Sequence, residues 1–318
     1  MCGSRAQGRK PLSPVESTQS TNNLTRYAWL SICAAILTIV LKLSAYWLTN
    51  SVGLLSDALE SLVNLVTAIV ALAALSIAAR PADEEFAFGY SKVEFFSSGF
   101  EGGMIVVAAG AIGATAIPRL IHPQPLEQVG LGLVISVVAS LINLGVSRIL
   151  AQAGRRYGSI TLEADAAHLM TDVWTTAGVI AGVALVAITG WQRLDQLVAL
   201  AVAANILVTG FRLLRRSARG LMDAPLPSAD VETIKSILHP HEAQGITFHA
   251  VRTRTAAARG FVSMHVLVPG DWSVRHGHDV AERIEDEIRE RLHQVAVFTH
   301  VEPLEDSISW QDKLIERE

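Results

Sequence analysis

Two apolar stretches of the chain each carry polar side chains four residues apart. Glu60 and Asn64 lie in one stretch, and His168 and Asp172 lie in the other. Residues four apart share one face of an α-helix, so the two pairs could converge if those faces met. Carboxylate, amide and imidazole groups together form a donor set for a divalent metal ion. The spacing therefore predicts a metal-binding cage within an apolar helical region.

A second interpretation of the same residues is structural. Polar side chains in membrane helices also form hydrogen bonds between helices, and Asn64 alone fits that role. An ionisable group near the bilayer centre costs about 2.5–3.5 kcal/mol, however, and a bound cation would offset that cost. We therefore favour the metal site. Asp57, one turn before Glu60, is a candidate accessory group, either as a ligand, on the entry path or near the aqueous boundary.

Composition indicates an integral membrane protein with a polar part. Half of the 318 residues are hydrophobic, and 18% are charged. The net charge of -4 gives no basis for nucleic-acid binding. Two cysteines are too few for a disulfide framework or a thiolate metal site. Six apolar spans can each cross a bilayer with an apolar core of about 30 Å: residues 26–48, 52–79, 92–118, 128–151, 162–189 and 194–215.

Basic residues predict the orientation in the membrane. Most of them fall near the first span, in the second and fourth connections and after the last span, so the positive-inside rule places both termini in the cytoplasm. Lys42 in the first span is expected to extend its amine toward the outer interface. Glu101 in the glycine-rich third span is another candidate accessory group, either proton-handling, supporting the cage or near the cytoplasmic interface.

After Asp223 the chain becomes charged and amphipathic. Residues 228–239 and 274–292 have helical periodicity, whereas ITFHAVRTRTA, GFVSMHVLVP and AVFTHVEPL alternate as strands do. Ser228 is the expected N-cap of the first helix. An Ala-Arg-Gly turn is expected to join the first two strands. The order αββαβ predicts a small two-layer α+β domain on the cytoplasmic side.

Five side chains of this domain form a second candidate metal site. Imidazole and carboxylate groups on compatible faces suit Zn²⁺ and similar ions. The predicted ligands are His249, His265, His278, His300 and Glu302.

With these features the chain resembles the cation diffusion facilitator family, in particular the bacterial zinc and iron effluxers. The resemblance rests on SVGLLSDALESLVN, PADEEFAFGYSKVE, ADAAHLMTD and LMDAPLP, together with the segments HAVRTR, MHVLV, HDVAERIE and THVEP. It implies a six-helix transmembrane bundle with a metallochaperone-like cytoplasmic domain. It also implies a homodimer in the inner membrane that exchanges a divalent metal ion for protons, and no enzymatic activity.

The resemblance assigns further residues. The family's transport site falls on Glu60, Asn64, His168 and Asp172, with one carboxylate fewer than is usual in the family. Its loop metal site falls on Asp83, Phe86 and Tyr90, of which only Asp83 could bind a metal, so this site is expected to be absent. Lys92 and Asp223 correspond to an interdomain charge pair.

The predicted function is export of Zn²⁺ or a similar ion, such as Fe²⁺, Mn²⁺, Co²⁺ or Cd²⁺, in exchange for protons. The alternative is a membrane-anchored metal sensor or scaffold that does not transport. An intramembrane metalloprotease is disfavoured because the chain lacks an HExxH motif. The expected domains are a disordered tail (1–25), the transport domain (26–222), the metal-binding domain (223–306) and a C-terminal tail (307–318).

Overall fold

The computed structural model describes residues 14–49, 52–121, 130–191, 193–292 and 294–310. It divides into two compact units, Met1–Ser217 and Ala218–Glu318. The first unit contains long helices that are named here in chain order: α1 (Pro14–Thr49), α2 (Val52–Ala78), α3 (Val93–Ile121), α4 (Gly130–Tyr157), α5 (Ile160–Thr189) and α6 (Arg193–Leu221), the last of which runs into the second unit.

Six helices in the described residues are long and apolar enough to cross a membrane, as predicted. Apolar side chains such as Leu37, Phe96 and Val208 are exposed, as expected for helices that face lipid. The first helix begins at Pro14, inside the segment predicted as a disordered tail. Proline suits the first turn of a helix because it has no backbone N–H group to leave unpaired there.

Helix α5 is the central element of the bundle and packs against α1, α2, α3 and α4. The Ser159 side chain caps its N-terminus by accepting from the Leu162 N–H, and Gly190 ends the helix with φ 71°. Apolar residues of α5 contribute to both buried clusters of the bundle. One cluster includes residues of α1, α2 and α4, and the other includes residues of α3 and α6.

Helices α3 and α6 approach each other closely. A Cβ atom on Gly102 would lie 3.1 Å from the backbone nitrogen of Leu214 and 3.3 Å from the carbonyl oxygen of Gly210. Gly103 has no such neighbour within 4 Å. The close contact therefore depends on the absence of a side chain at Gly102.

The second unit has the predicted order αββαβ: α7 (Ser228–Glu242), β1 (Thr247–Ala256), β2 (Arg259–Val268), α8 (Val274–Arg291) and β3 (Val295–Pro303), followed by the short 3₁₀ helix η1 (Ser307–Trp310). Strand β2 is central, antiparallel to β1 and parallel to β3. Pro227, not Ser228, occupies the N-cap position of α7, and no side chain caps this helix.

One face of the sheet carries the core of this unit. Val262, Met264 and Val266 of β2 are almost fully buried against apolar residues of α7 and α8. Side chains alternate between the two faces of a strand, so His265 points to the opposite face. The hairpin turn lies at residues 257–258, one position before the predicted Ala-Arg-Gly turn, and Ala257 adopts φ 54° there.

Candidate metal centres

Helices α2 and α5 bring together three of the four residues predicted for the membrane cage. The Nε2 atom of His168 lies 2.8 Å from Oδ1 of Asn64, and Nδ2 of Asn64 lies 2.5 Å from Oδ2 of Asp172. Asn64 and His168 are only 3% and 5% exposed. The side chains of Glu60 and Asp57 lie outside the described residues, so their roles remain predictions.

The Asn64 amide joins the imidazole and the carboxylate. Its Nδ2 group donates to Asp172, so its Oδ1 atom accepts from His168, and the proton of that bond is on Nε2. The other ring nitrogen of His168, Nδ1, is buried and has no hydrogen-bond partner among the described residues. The donor atoms that a cation would contact are therefore already grouped and linked to one another.

Helix α4 adds Asn143, which the sequence analysis did not identify. It is 2% exposed, and its Nδ2 group donates to Oδ2 of Asp172 at 3.0 Å. Two amides thus hold the same carboxylate oxygen. No spacing pattern pointed to Asn143, because a single asparagine in an apolar helix has no partner visible in the sequence.

Lys42 is buried beside α2 and does not extend toward an interface as predicted. Its Nζ atom lies 2.7 Å from Oγ of Ser61, and the residue is 5% exposed. The prediction was wrong because the packing of α1 against α2 provides a polar partner within reach.

Glu101 is fully buried in α3, and the three roles that the sequence allows for it stay predictions. Asp165 of α5, which was not identified from the sequence, is 1% exposed. Neither carboxyl group has a hydrogen-bond partner among the residues that the structure describes.

Asp83 organises the loop between α2 and α3. Its Oδ1 atom accepts from the N–H groups of Glu85 and Phe86, and its Oδ2 atom accepts from the Tyr90 hydroxyl at 2.6 Å. The Tyr90 bond is the main reason that the pKa of Asp83 lies below its usual value, and the same bond raises the pKa of Tyr90. Both oxygens of Asp83 thus have structural partners, and the expected absence of a loop metal site stays a prediction.

The second unit contains a compact group of metal-binding side chains. Ligand atoms of His249, His265 and Glu302 lie within 4.8 Å of one another. Oε2 of Glu302 is 3.3 Å from Nε2 of His249 and 3.0 Å from Nδ1 of His265. The donor set of two imidazoles and a carboxylate fits Zn²⁺ or a similar ion. We call these three residues the His-Glu cluster.

The register of the sheet explains this grouping. His249 pairs with His265 across β1 and β2, and His265 pairs with His300 across β2 and β3. Residues two apart on a strand share a face, so Glu302 lies on the same side as His300. The three imidazoles therefore form a row on the face opposite the helices.

The other two predicted ligands lie outside the His-Glu cluster. Nε2 of His300 is 3.5 Å from Oε1 of Glu302, but its side chain is 68% exposed. His278 is exposed at the start of α8 and is not among the three clustered residues, although it lines the same cavity as Glu302, so its role stays a prediction. The start of α8 was visible in the sequence, but the face against which this helix packs was not.

The 3₁₀ helix η1 adds an aromatic neighbour. Trp310 stacks on His249 with ring centroids 5.8 Å apart, and its Nε1 group donates to the Leu304 carbonyl at 3.0 Å. This residue belongs to the segment predicted as a C-terminal tail. Residues 311–318 of that segment lie outside the described residues.

The Lys92–Asp223 pair, with one residue in each unit, stays a prediction. Within the second unit, Oδ1 of Asp223 accepts from Arg254 at 3.3 Å.

Comparison with known proteins finds a family model for each of the two parts of the chain. The family model described as "Cation efflux transmembrane domain" matches residues 28–222, and the model described as "Cation efflux protein, cytoplasmic domain" matches residues 226–304. The uncharacterized transporter sll1263 of Synechocystis sp. is 55% identical over 285 residues, which are 90% of this chain and 92% of that protein.

More distant relatives are also similar to this chain. The cation-efflux pump FieF of Klebsiella pneumoniae is 27% identical over 281 residues, covering 88% of this chain and 93% of the pump. The metal-bound C-terminal domain of the CzcD transporter from Thermotoga maritima is 25% identical and aligns with a TM-score of 0.23, covering 26% of this chain and 99% of that domain. Because the transmembrane family model alone spans more than half of the chain, this multi-pass membrane protein belongs to the cation efflux, or cation diffusion facilitator, family of transporters.

Proposed function

We propose that this protein exports a divalent metal ion, Zn²⁺ or a similar ion such as Fe²⁺, Mn²⁺, Co²⁺ or Cd²⁺, from the cytoplasm in exchange for protons. It acts as a homodimer in the inner membrane, with both termini in the cytoplasm. The observation that carries the proposal is the convergence of Asn64, His168 and Asp172 from two membrane helices. The similarity to the cation-efflux pump FieF supports the direction of transport.

Metal binding at Nε2 of His168 requires a rearrangement of the hydrogen bonds in the cage. A metal ion binds the unprotonated nitrogen of an imidazole, whereas Nε2 of His168 donates its proton to Asn64 in the structure. An incoming cation that binds Nε2 displaces that bond and shifts the proton. Binding is therefore linked to protonation, because protons compete with the metal for the imidazole and the carboxylate.

The donor set narrows the class of ion. An imidazole, an amide oxygen and one or two carboxylates suit borderline and hard divalent ions, and the cage has no thiolate to favour a soft ion such as Cu⁺. The Asn64 amide also supplies one negative charge fewer than a carboxylate. A neutral ligand in this position weakens binding and eases release, which suits a transported ion.

The His-Glu cluster is proposed to bind a second, regulatory ion. Its side chains are only partly buried, with 21% of His249, 25% of His265 and 18% of Glu302 exposed. Such a site can exchange with metal in the cytoplasm. Binding there is expected to favour transport when internal metal is high. The predicted contribution of His278 remains part of this hypothesis.

Flux through purified protein in proteoliposomes tests the proposal. Asp172→Asn keeps a group that can accept from both amides, but it removes the charge that attracts the metal. We expect its Zn²⁺ flux to fall to the level of empty liposomes. Glu163→Gln is the matched control, because Glu163 lies on the same helix but pairs with Arg216. Flux at the wild-type rate in a folded Asp172→Asn protein would contradict the cage assignment.

The same assay separates transport from the sensor or scaffold alternative. A sensor would bind metal but would not move it across the membrane, whereas an exchanger would move metal in one direction and protons in the other. The pH inside the liposomes is followed with an entrapped dye. Metal binding without flux in the wild-type protein would favour the sensor.

A further inference from the structure

Two carboxyl groups are buried in the bundle apart from the cage. Glu101 of α3 is 0% exposed and Asp165 of α5 is 1% exposed. The two helices pack against each other, and the two groups are near enough to interact electrostatically. None of their four oxygens has a hydrogen-bond partner among the described residues.

A third unpartnered group lies beside them. The hydroxyl group of Ser31, on α1, lies against the Asp165 carboxyl group. Ser31 is 1% exposed, and its Oγ atom completes no hydrogen bond within the described part of the chain. Apolar residues, including Ile105 and Ala164, form the buried cluster between α3 and α5. Three helices thus contribute buried polar groups that lie within apolar packing.

Two other carboxyl groups on α3 and α5 have partners of their own. Glu94 accepts from Ser159, and Glu163 pairs with Arg216. Among the described side chains, the remaining arginines of the membrane helices in the first unit are exposed: Arg26, Arg119, Arg148, Arg155, Arg156, Arg193, Arg212 and Arg215.

Among the described side chains near the cage, the two basic groups on α1 and α5 bond to neighbours other than the pair. His168 is bonded to Asn64, and Lys42 is bonded to Ser61. No described cation therefore forms an ion pair with Glu101 or Asp165. Two unpaired carboxylates in such a setting would be strongly unfavourable, because burial and mutual repulsion both oppose the second charge.

We propose that Glu101 and Asp165 form a proton-binding pair that is separate from the metal cage and supplies protons to the exchange. This inference rests on the proposed function. Asp165 lies three residues before His168, so a charge on the pair acts on the cage along the same helix. Loss of a proton from the pair favours a cation in the cage, and binding of a proton favours its release. This coupling is reciprocal, because a metal ion in the cage equally favours loss of the proton.

Infrared difference spectroscopy on metal-free, full-length protein tests the pair without any need for transport. A protonated carboxyl group gives a C=O stretching band that shifts in D₂O. We expect Glu101→Gln and Asp165→Asn each to remove most of this band. Glu163→Gln should leave the band unchanged, because Glu163 pairs with Arg216 and is not part of the proposed pair. Absence of the band from the wild-type protein, or its persistence in both variants, would overturn the proposal.

Transport measurements then test the role of the pair in the exchange. Glu101→Gln mimics the protonated state permanently, so its Zn²⁺ flux should lose most of its dependence on pH and carry fewer protons per metal ion. Ser31→Ala should behave as the wild-type protein does, because it removes no titratable group. Flux of the wild-type protein without proton movement would refute the proposed exchange but not the infrared result. Wild-type proton counts and pH dependence in both folded carboxyl variants would refute the role of the pair.

Counting the bound metal ions tests the other role that the carboxyl oxygens of Glu101 and Asp165 could have, which is to bind a cation. If the pair were a cation site, the purified wild-type protein would bind one more Zn²⁺ ion than Glu101→Gln, and Ser31→Ala would bind that ion more weakly. That result would overturn the proton-binding proposal. Equal numbers of bound ions in the three proteins would support it.

Discussion

Replacement of Asn143 tests how the cage holds its carboxylate. Asn143 and Asn64 both donate to Oδ2 of Asp172, at 3.0 and 2.5 Å. Asn143→Ala removes one of these donors, so that Asn64 alone holds the carboxylate oxygen in place. We therefore expect metal affinity to fall although Asn143 is not among the predicted ligands.

The expected loss of metal affinity in Asn143→Ala follows from the charge on the acceptor, the Asp172 carboxylate. A hydrogen bond to a charged group contributes about 1.5–3 kcal/mol. Since about 1.4 kcal/mol is a factor of ten in an equilibrium constant, losing this bond should raise the metal Kd by about 10- to 100-fold. Loss of the outer partner of a metal ligand typically has the same effect, about 10- to 100-fold.

The assay is a competition titration of purified, full-length protein with Zn²⁺ and an optical chelator. In proteoliposomes the same variant should show a raised KM. Asn205→Ala is the control, because it removes an asparagine from an exposed position of another membrane helix, α6. Its Kd should equal that of the wild-type protein.

A double-mutant cycle gives the sharper test. If Asn143 acts through Asp172, then Asn143→Ala should have little further effect once Asp172→Asn is present. The reasoning is refuted if a folded Asn143→Ala protein binds Zn²⁺ with wild-type affinity. It is also refuted if the two substitutions act independently.

Three further predictions concern other parts of the chain. Glu302→Gln should remove the metal bound by the His-Glu cluster but leave some flux, as metal counting and proteoliposome assays would show; complete loss of flux in a folded protein would argue against a regulatory site. Gly102→Val should destabilise the protein by about 1–3 kcal/mol through overpacking, whereas Gly103→Val, with open space around it, should not, and equal thermal midpoints would contradict this. Tyr90→Phe should raise the pKa of Asp83 toward its usual value, measured by NMR, because the Tyr90 bond lowers it. An unchanged pKa would refute the role of the bond. In the wild-type protein, the stability that this carboxylate contributes is present above its usual pKa and is lost as pH falls through the lowered value.

The six membrane helices could be predicted because hydropathy and length determine them directly. The meeting of Asn64, His168 and Asp172 was also predictable, since i, i+4 spacing puts polar groups on one helical face. The sequence does not show which other helices face these groups, so it does not identify Asn143 of α4 or Ser31 of α1. Each is an isolated polar residue whose partner lies far away in the sequence.

The hairpin shows a second limit of prediction from the sequence. The sequence predicts Gly260 in the turn, but it lies in β2, where an added Cβ atom would lie 2.9 Å from Leu226 and 3.0 Å from Val295. Close packing favours glycine there, and Ala257 adopts the positive φ of the turn. A sequence pattern does not distinguish a glycine that is needed for backbone conformation from one that is needed for space.

The contact between Trp310 and His249 provides the second unit with an intrinsic fluorescent reporter. The indole ring stacks on the His249 imidazole, which also contacts Glu302. A hydrogen bond from the indole to the Leu304 carbonyl holds the ring in place. Indole emission depends on the charge of a neighbouring ring, so a cation on His249 should change the emission of Trp310. Occupancy of the His-Glu cluster could then be followed in unlabelled protein by comparison with Trp310→Phe.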